Sequence, residues 1–121
     1  MSKTFVITGA SGGIGIEIVR LLLQEGAIVI ATDINTKSLE ELKKEFSNYK
    51  DKLITEILDV RNSDQWEKIF TRAKSQSAPF YGLINSAGVI LPGYIINTTS
   101  KEIDFHIDIN TKGVMLGSQA A

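Results

Sequence analysis

The stretch T-G-A-S-G-G-I-G, residues Thr8–Gly15, decides how this chain folds, because its glycines separate two different hydrophobic patterns. Before it, residues 5–7 form a continuous apolar run, and after it residues 16–23 repeat apolar side chains at helical spacing. A strand that turns directly into a helix brings the free N–H groups of the first helical turn to one point, where they can bind an anion. The stretch therefore predicts a strand–turn–helix unit with an anion-binding turn.

Three glycines of this turn have separate physical roles. Gly9 permits the sharp exit from the strand, Gly13 lets a pyrophosphate approach the backbone, and Gly15 lets the helix pack close to the sheet. The common dinucleotide pattern G-x-G-x-x-G is not met, because Ile18 occupies its last position. A tight turn without any ligand is the alternative interpretation of the loop by itself.

Strand-like and helical patterns alternate along the rest of the chain. Strands are expected at Thr4–Thr8, Ala27–Thr32, Leu53–Leu58 and Phe80–Ile84. Helices are expected from Gly13 to about Glu25, from Ser38 with a capping box to Glu41, from Asn62 or Ser63, and from Thr99 with a capping box to Glu102. Strands joined through helices run parallel, with helices on both faces of the sheet. The order predicts one α/β domain over residues 1–121 with a doubly wound parallel sheet.

Composition and charge exclude several classes of function. The chain has 121 residues, 43% hydrophobic content and a formal net charge of −1, with no basic cluster, so nucleic acid is not an expected partner. Without cysteine and with a single histidine, His106, a metal site is not expected. The first strand leaves no room for a signal peptide, and no apolar run is long enough to span a bilayer. We therefore expect a cytoplasmic protein that does not bind membranes.

Asp33 ends the second strand, eighteen residues beyond the last glycine of the turn. In a Rossmann-type fold an acid at this place accepts hydrogen bonds from the adenosine ribose hydroxyls. It would repel the 2′-phosphate of NADP, and neither Gly12 nor Ile34 supplies a positive charge, so NAD is the expected cofactor. The nearby Lys37 leaves NADP open. The alternative for Asp33 is a turn-forming acid before Asn35.

Four landmarks together resemble the classical short-chain dehydrogenase/reductase family over all 121 residues. Thr8–Gly15 is similar to the family's T-G-x-x-x-G-x-G loop, Asp33 to its acid, and Asp59-Val60 to the pair that flanks the adenine. Asn85–Gly88 resembles N-N-A-G with Ser86 in the second position, and a serine hydroxyl can still form hydrogen bonds in a turn. The resemblance implies the strand order 3-2-1-4. It also implies a set of cofactor-binding residues: Gly9, Ser11, Gly12, Gly13, Ile14, Gly15, Asp33, Asp59, Val60, Asn85, Ala87 and Gly88.

Other interpretations of these landmarks stay open. Gly9, Gly12 and Gly15 also fit the G-x-x-G-x-x-G loop of the family's extended branch, which includes nucleotide-sugar epimerases. The Asn85–Gly88 stretch favours the classical branch, although it is also typical of a polar turn after a buried strand. The alternative for Asp59 is a capping or turn acid before the third helix.

In the fourth helix, Asn110 stands where the family keeps a catalytic-site asparagine. By resemblance it helps to hold a water of the proton relay and positions the catalytic lysine. The alternative is an amide on the helix surface, although asparagine is a poor helix former. We expect His106, Asp104 and Asp108 on a solvated face of this helix, and Trp66 in the core.

The family's hydride chemistry also uses a serine, and a tyrosine with a lysine four residues later. None of them is identified here: Tyr49, Tyr81 and Tyr94 are not followed by that lysine, and Ser118 comes too soon after Asn110. We therefore expect the N-terminal part of a short-chain dehydrogenase, truncated before the later strands and not competent alone. The full protein would be an NAD-dependent oxidoreductase that interconverts an alcohol and a carbonyl in a small molecule.

The fourth strand, Phe80–Ile84, would form an edge of this partial sheet. It contains neither a charged residue nor a proline that would discourage pairing, so a homo-oligomer is expected. Two other functions remain open: a short protein that binds a nucleotide without catalysis, and a structural half that assembles with another chain.

Overall fold

A four-stranded parallel sheet forms the centre of the molecule, for which a computed structural model describes residues 2–121. Its strands are β1 (Thr4–Thr8), β2 (Ile28–Asp33), β3 (Leu53–Ile57) and β4 (Phe80–Asn85). They lie in the order β3-β2-β1-β4, all parallel. The predicted α/β fold and its strand order are therefore confirmed, and each strand lies within one residue of its expected range.

Helices cover both faces of the sheet. They are α1 (Gly13–Gln24), α2 (Thr36–Glu45), α3 (Ser63–Lys74), α4 (Ser100–Ile107) and α5 (Gly113–Ala120). Buried residues of α1 and α2 form one hydrophobic core with the sheet, while buried residues of α3 form the other core, against which part of α5 packs. Within the described part of the chain, no helix combines the length and the apolar sequence that crossing a membrane requires.

The continuous apolar runs of β1 and β2 follow from this two-sided cover. In β1, Val6 packs into the core beneath α3 and Ile7 into the core beneath α1, and both side chains are fully buried. In β2, Val29 and Ile30 divide between the two cores in the same way. Because successive side chains of a strand point to opposite faces, a strand buried on both faces carries apolar residues at most successive positions.

The start of α2 differs from its expected place. The helix begins at Thr36, and the Asn35 side chain caps it by accepting a hydrogen bond of 3.0 Å from the Ser38 N–H. The predicted capping box from Ser38 to Glu41 is therefore wrong, since Ser38 already lies inside the helix. The capping box of α4 is confirmed, with Thr99 as its cap and Glu102 as its partner.

The predicted fourth helix is divided by a π-helical turn over Asp108–Lys112, between α4 and α5. Such a turn holds one residue more than an α-turn and rotates the following residues about the helix axis. In α5 it brings glycines against the core: a Cβ on Gly113 would lie 2.6 Å from Val60, and one on Gly117 would lie 2.6 Å from the Trp66 ring. Trp66 is buried, as predicted, and its indole N–H donates to the Val60 carbonyl at 2.8 Å.

The turn between β1 and α1 depends on two glycines. Gly9 has a φ of +58°, and a Cβ on it would lie 2.8 Å from the Cα of Ala87. A Cβ on Gly15 would overlap the carbonyl oxygen of Gly9 and lie 2.9 Å from the Cα of Ala10. Both contacts are with backbone atoms, which cannot move aside as a side chain can. The expected roles of Gly9 and Gly15 in the turn are therefore met.

We predict that Gly15→Ala lowers the free energy of unfolding by about 1–3 kcal/mol, because overpacking against backbone forces α1 away from the turn. Gly13→Ala is the matched control, since nothing lies within 4 Å of a Cβ at Gly13. Its stability should equal or exceed that of the parent chain, because alanine favours a helix by roughly 1 kcal/mol over glycine. Urea unfolding followed by circular dichroism measures both. Equal stabilities for the two variants would contradict this account of the turn.

Candidate functional site

A cavity of about 230 Å³ lies where the carboxyl ends of the parallel strands meet the N-terminus of α1. In doubly wound folds this edge of the sheet is the usual place for a ligand. Seven of the residues expected to bind a cofactor line the cavity: Gly9, Gly12, Asp33, Asp59, Val60, Ala87 and Gly88. Of the other five, Ser11 contacts Asp33 directly, Gly13 and Ile14 form the exposed first turn of α1, Gly15 packs beneath that turn, and Asn85 is the exposed last residue of β4.

The N-terminus of α1 is open toward solvent. Its cap, Gly12, has no side chain to accept from the first-turn N–H groups. Around Gly13 the space is free, and Ile14 exposes 75% of its surface. The N–H groups of a first helical turn carry partial positive charge, so this end of α1 favours an anion.

Asp33 is held in place by two neighbouring segments. Its Oδ2 atom accepts a hydrogen bond of 2.6 Å from the Ser11 hydroxyl, and its Oδ1 atom accepts one of 3.1 Å from the Asn35 N–H. The carboxylate therefore does form the turn before Asn35 that was the alternative interpretation. It also faces the cavity, so the turn fixes a charged acceptor at the cavity wall.

Thr8 joins the ends of β1 and β4. Its buried hydroxyl oxygen accepts hydrogen bonds from the backbone N–H groups of Ser86 (3.1 Å) and Ala87 (3.0 Å). The sequence matches Thr8 to a motif but does not identify this role. The signal that could have indicated it is a polar residue at the end of an apolar strand. Because Thr8 binds the backbone N–H of Ser86 and not its side chain, a serine at this position keeps the hydrogen bond.

Asp59 forms an ion pair with Arg61 that the sequence did not indicate. The guanidinium donates to both carboxylate oxygens, at 2.9 Å and 2.8 Å, and the Arg61 backbone N–H donates to Oδ1 at 3.0 Å. These bonds to Arg61 lower the pKa of Asp59, while partial burial opposes the shift. Asp59 is thus a turn acid before α3, as the alternative had it, and a fixed anion at the cavity wall.

Asn110 lies in the π-helical turn and binds the chain that leaves β4. Its side-chain oxygen accepts from the Val89 N–H and its side-chain nitrogen donates to the Val89 carbonyl, both at 2.8 Å. The side chain thus reproduces the pairing of a neighbouring strand. Val89 itself lines the cavity, so Asn110 positions one of its walls.

His106 does not lie on a solvated face, and that prediction was wrong. Its ring is half-buried, with Nε2 2.9 Å from the Leu91 nitrogen and Nδ1 2.7 Å from the Glu102 carbonyl oxygen. Helical periodicity could not show this, because the contact depends on where the segment after β4 passes. Asp104 is exposed as expected, whereas Asp108 is half-buried, so the prediction of a solvated face was wrong for it as well.

We predict that Asn110→Ala increases hydrogen exchange at the Val89 amide by about fivefold, because a lost hydrogen bond is worth roughly 1 kcal/mol. Exchange followed by two-dimensional NMR measures it residue by residue. The control is Asn97→Ala, an exposed asparagine in the short turn Ile95–Asn97. The assigned role of Asn110 fails if both variants leave exchange at Val89 unchanged.

Comparison with known proteins gives consistent matches. A family model described as short chain dehydrogenase matches residues 3–121. Oxidoreductase UcpA of Salmonella typhimurium is 38% identical over 112 residues, which are 93% of this chain and 42% of that protein. The 3-oxoacyl-[acyl-carrier-protein] reductase FabG of Thermotoga maritima is 33% identical over 93% of this chain and 46% of its own length. The chain spans less than half the length of these curated relatives.

Solved structures share the same fold. A short-chain dehydrogenase/reductase from Brucella melitensis superposes with a TM-score of 0.92 at 27% identity, covering 98% of this chain and 50% of the other. Actinorhodin polyketide ketoreductase, solved with NADPH, gives a TM-score of 0.91 at 25% identity, covering 98% of this chain and 46% of the other. The likeness therefore extends over nearly all of this chain.

Proposed function

The chain belongs to the short-chain dehydrogenase family of oxidoreductases, and from that premise we propose that it binds NAD. We further propose that it supplies the cofactor-binding part of an enzyme that interconverts an alcohol and a carbonyl by hydride transfer. One observation carries this proposal: the open N-terminus of α1 and the fixed carboxylate of Asp33 face the same cavity. A dinucleotide needs both, because its pyrophosphate is an anion and its adenosine ribose presents two hydroxyl donors.

The residues present fit the two ends of such a ligand. The first-turn N–H groups after Gly12 would hold the pyrophosphate, and Asp33 would accept from the ribose hydroxyls. Val60 and Leu58 are buried apolar residues of the cavity wall and suit an adenine ring. On the opposite side of β1, Ala87 and Val89 would border the nicotinamide half. When bound, the nicotinamide ring supplies a hydride acceptor or donor.

NAD rather than NADP is proposed from the charges around the cavity. Its lining includes the carboxylates of Asp33 and Asp59 and, within residues 2–121, neither a lysine nor an arginine. A 2′-phosphate placed against Asp33 would meet negative charge, and no residue of the described lining supplies a cation to balance it, since Arg61 lies outside the lining and is paired with Asp59. Ile34, which follows Asp33, is an exposed apolar side chain.

Proton transfer is proposed to need residues that this chain does not contain. The sequence has no Tyr-x-x-x-Lys pair, which the family uses as its acid and base. Asn110 is proposed to act in the longer protein through the wall that it positions at Val89. This part of the protein would then orient the cofactor.

We predict that Asp33→Asn lowers the ratio of NAD affinity to NADP affinity by about 10- to 100-fold, because a hydrogen bond to a charged acceptor is worth roughly 1.5–3 kcal/mol. Isothermal titration calorimetry of this chain with each nucleotide measures the ratio. Asp51→Asn, at an exposed acid after α2, removes the same charge and should leave the ratio unchanged. An unchanged ratio for Asp33→Asn, or a parent chain that prefers NADP, would refute the NAD assignment.

Self-association is proposed as a property of the same chain. Strand β4 pairs only with β1 and forms one edge of the described sheet. The opposite edge, β3, contains the charged Glu56, whereas β4 has no charged residue. An uncharged edge strand offers its free backbone groups to another chain. A second copy that pairs with β4 would cover them.

We predict dimers whose population rises with concentration in sedimentation velocity, because pairing at β4 buries an uncharged edge. Hydrogen exchange at β4 amides should slow as the concentration increases, while exchange at β3 amides stays constant and serves as the internal control. A chain that remains monomeric at every concentration tested, with exchange at β4 unaffected, would show that this edge does not self-associate.

A further inference from the structure

Two side chains of one helical stretch hold alternate residues of the segment after β4. Asn110 binds the backbone of Val89, and His106, four residues earlier, binds the backbone of Leu91. Residues four apart lie on the same helix face. Val89 and Leu91 are therefore fastened by one face of one helix, at two separate points. Asn110 carries no titratable group, whereas His106 does.

The proton positions on His106 follow from its partners. The Leu91 backbone nitrogen can only donate, so Nε2, at 2.9 Å, must accept and carry no proton. The Glu102 carbonyl oxygen can only accept, so Nδ1, at 2.7 Å, must carry the proton. Both bonds exist together only in the neutral ring with hydrogen on Nδ1. Protonation would place an N–H on Nε2 directly against the N–H of Leu91.

The charged groups around His106 lie on its own helix or on Arg61, and none lies on the segment that it holds. On its own helix, Glu102 has a pKa lowered by hydrogen bonds from Thr99 and, to a smaller extent, by the charge of His106. The facing segment, Val89–Pro92, contains no titratable side chain. Arg61 lies 5.8 Å from the centre of the adjacent Phe105 ring and is paired with Asp59. No carboxylate or cation thus comes between the ring and Leu91 from the facing segment.

We propose that His106 is a pH-dependent clamp, which as a neutral imidazole holds Leu91 and on protonation releases it. Asn110 keeps Val89 in place in either state, so the release begins beyond the cavity wall. The freed stretch contains the exposed apolar side chains of Ile90, Tyr94, Ile95 and Ile96, each at least 79% accessible. His106 thereby sets where these side chains stand relative to the cavity, whatever ligand the cavity binds.

The first test is a spectroscopic one on the unmodified chain. At pH 7.5 the ¹⁵N chemical shifts of the His106 ring should show the proton on Nδ1, and the shift of the Leu91 amide should follow the titration of the ring. Predominance of the tautomer with hydrogen on Nε2, or a Leu91 amide that does not respond to the ring's titration, would overturn the proposal.

The second test compares variants by hydrogen exchange, with each rate divided by the intrinsic rate at the same pH. His106→Ala should reduce the protection of the Leu91 amide about tenfold at a pH above the measured midpoint of the ring's titration and have little effect at a pH below it, because the charged ring no longer accepts from Leu91. His106→Gln should restore protection at both pH values, because its amide oxygen accepts without titrating. Protection at Val89 should stay within about twofold throughout. Equal effects of His106→Ala at both pH values, or no rescue by His106→Gln, would show a merely structural role.

Discussion

The close contact between the start of α1 and the end of β1 governs the rest of the structure. Because Gly15 has no Cβ, the helix sits directly on the carbonyl of Gly9, and Gly9 in turn lies against the backbone of Ala87. One turn therefore fixes the helix, the central strand and the end of β4 in a single arrangement. The open N–H groups of α1 point to the edge of the sheet where β2 places Asp33. Any side chain at these glycines would separate parts that the cavity requires together.

Much of this arrangement could be predicted from the sequence, because it depends on local chemistry. Apolar runs interrupted by glycine, together with helical spacing, predict the strands and helices and their order along the chain, while the order of the strands in the sheet was implied by the family resemblance. What could not be predicted depends on tertiary neighbours. Asn35 caps α2 in place of the predicted Ser38, because the Asn35 side chain lies just outside the helix and accepts from the Ser38 N–H. The roles of Arg61 and His106 depend on a turn and on a crossing segment that have no periodic signal.

The walls of the cavity are held by polar side chains that bind backbone. Thr8 fixes the start of the segment after β4, and Asn110 fixes its continuation at Val89. Ser11 fixes the carboxylate of Asp33 from the side of the glycine turn. Hydrogen bonds of this kind stabilise a fold only modestly, but they define position more sharply than apolar contacts do. The site is thus a set of segments fastened to one another at the ends of the strands.

Because α5 packs closely against Val60, this helix contributes to the shape of the cavity although it does not line it. Val60 lines the cavity with one part of its surface and lies against Gly113 with another, while its carbonyl accepts from the Trp66 indole. A shift of α5 by a fraction of an ångström would be transmitted through Val60 to the cavity wall. It would not pass through any ligand-binding residue of the glycine turn. The width of the cavity therefore depends on how closely α5 packs against Val60. Selection on ligand fit would then extend to Gly113 and Gly117, which lie outside the cavity.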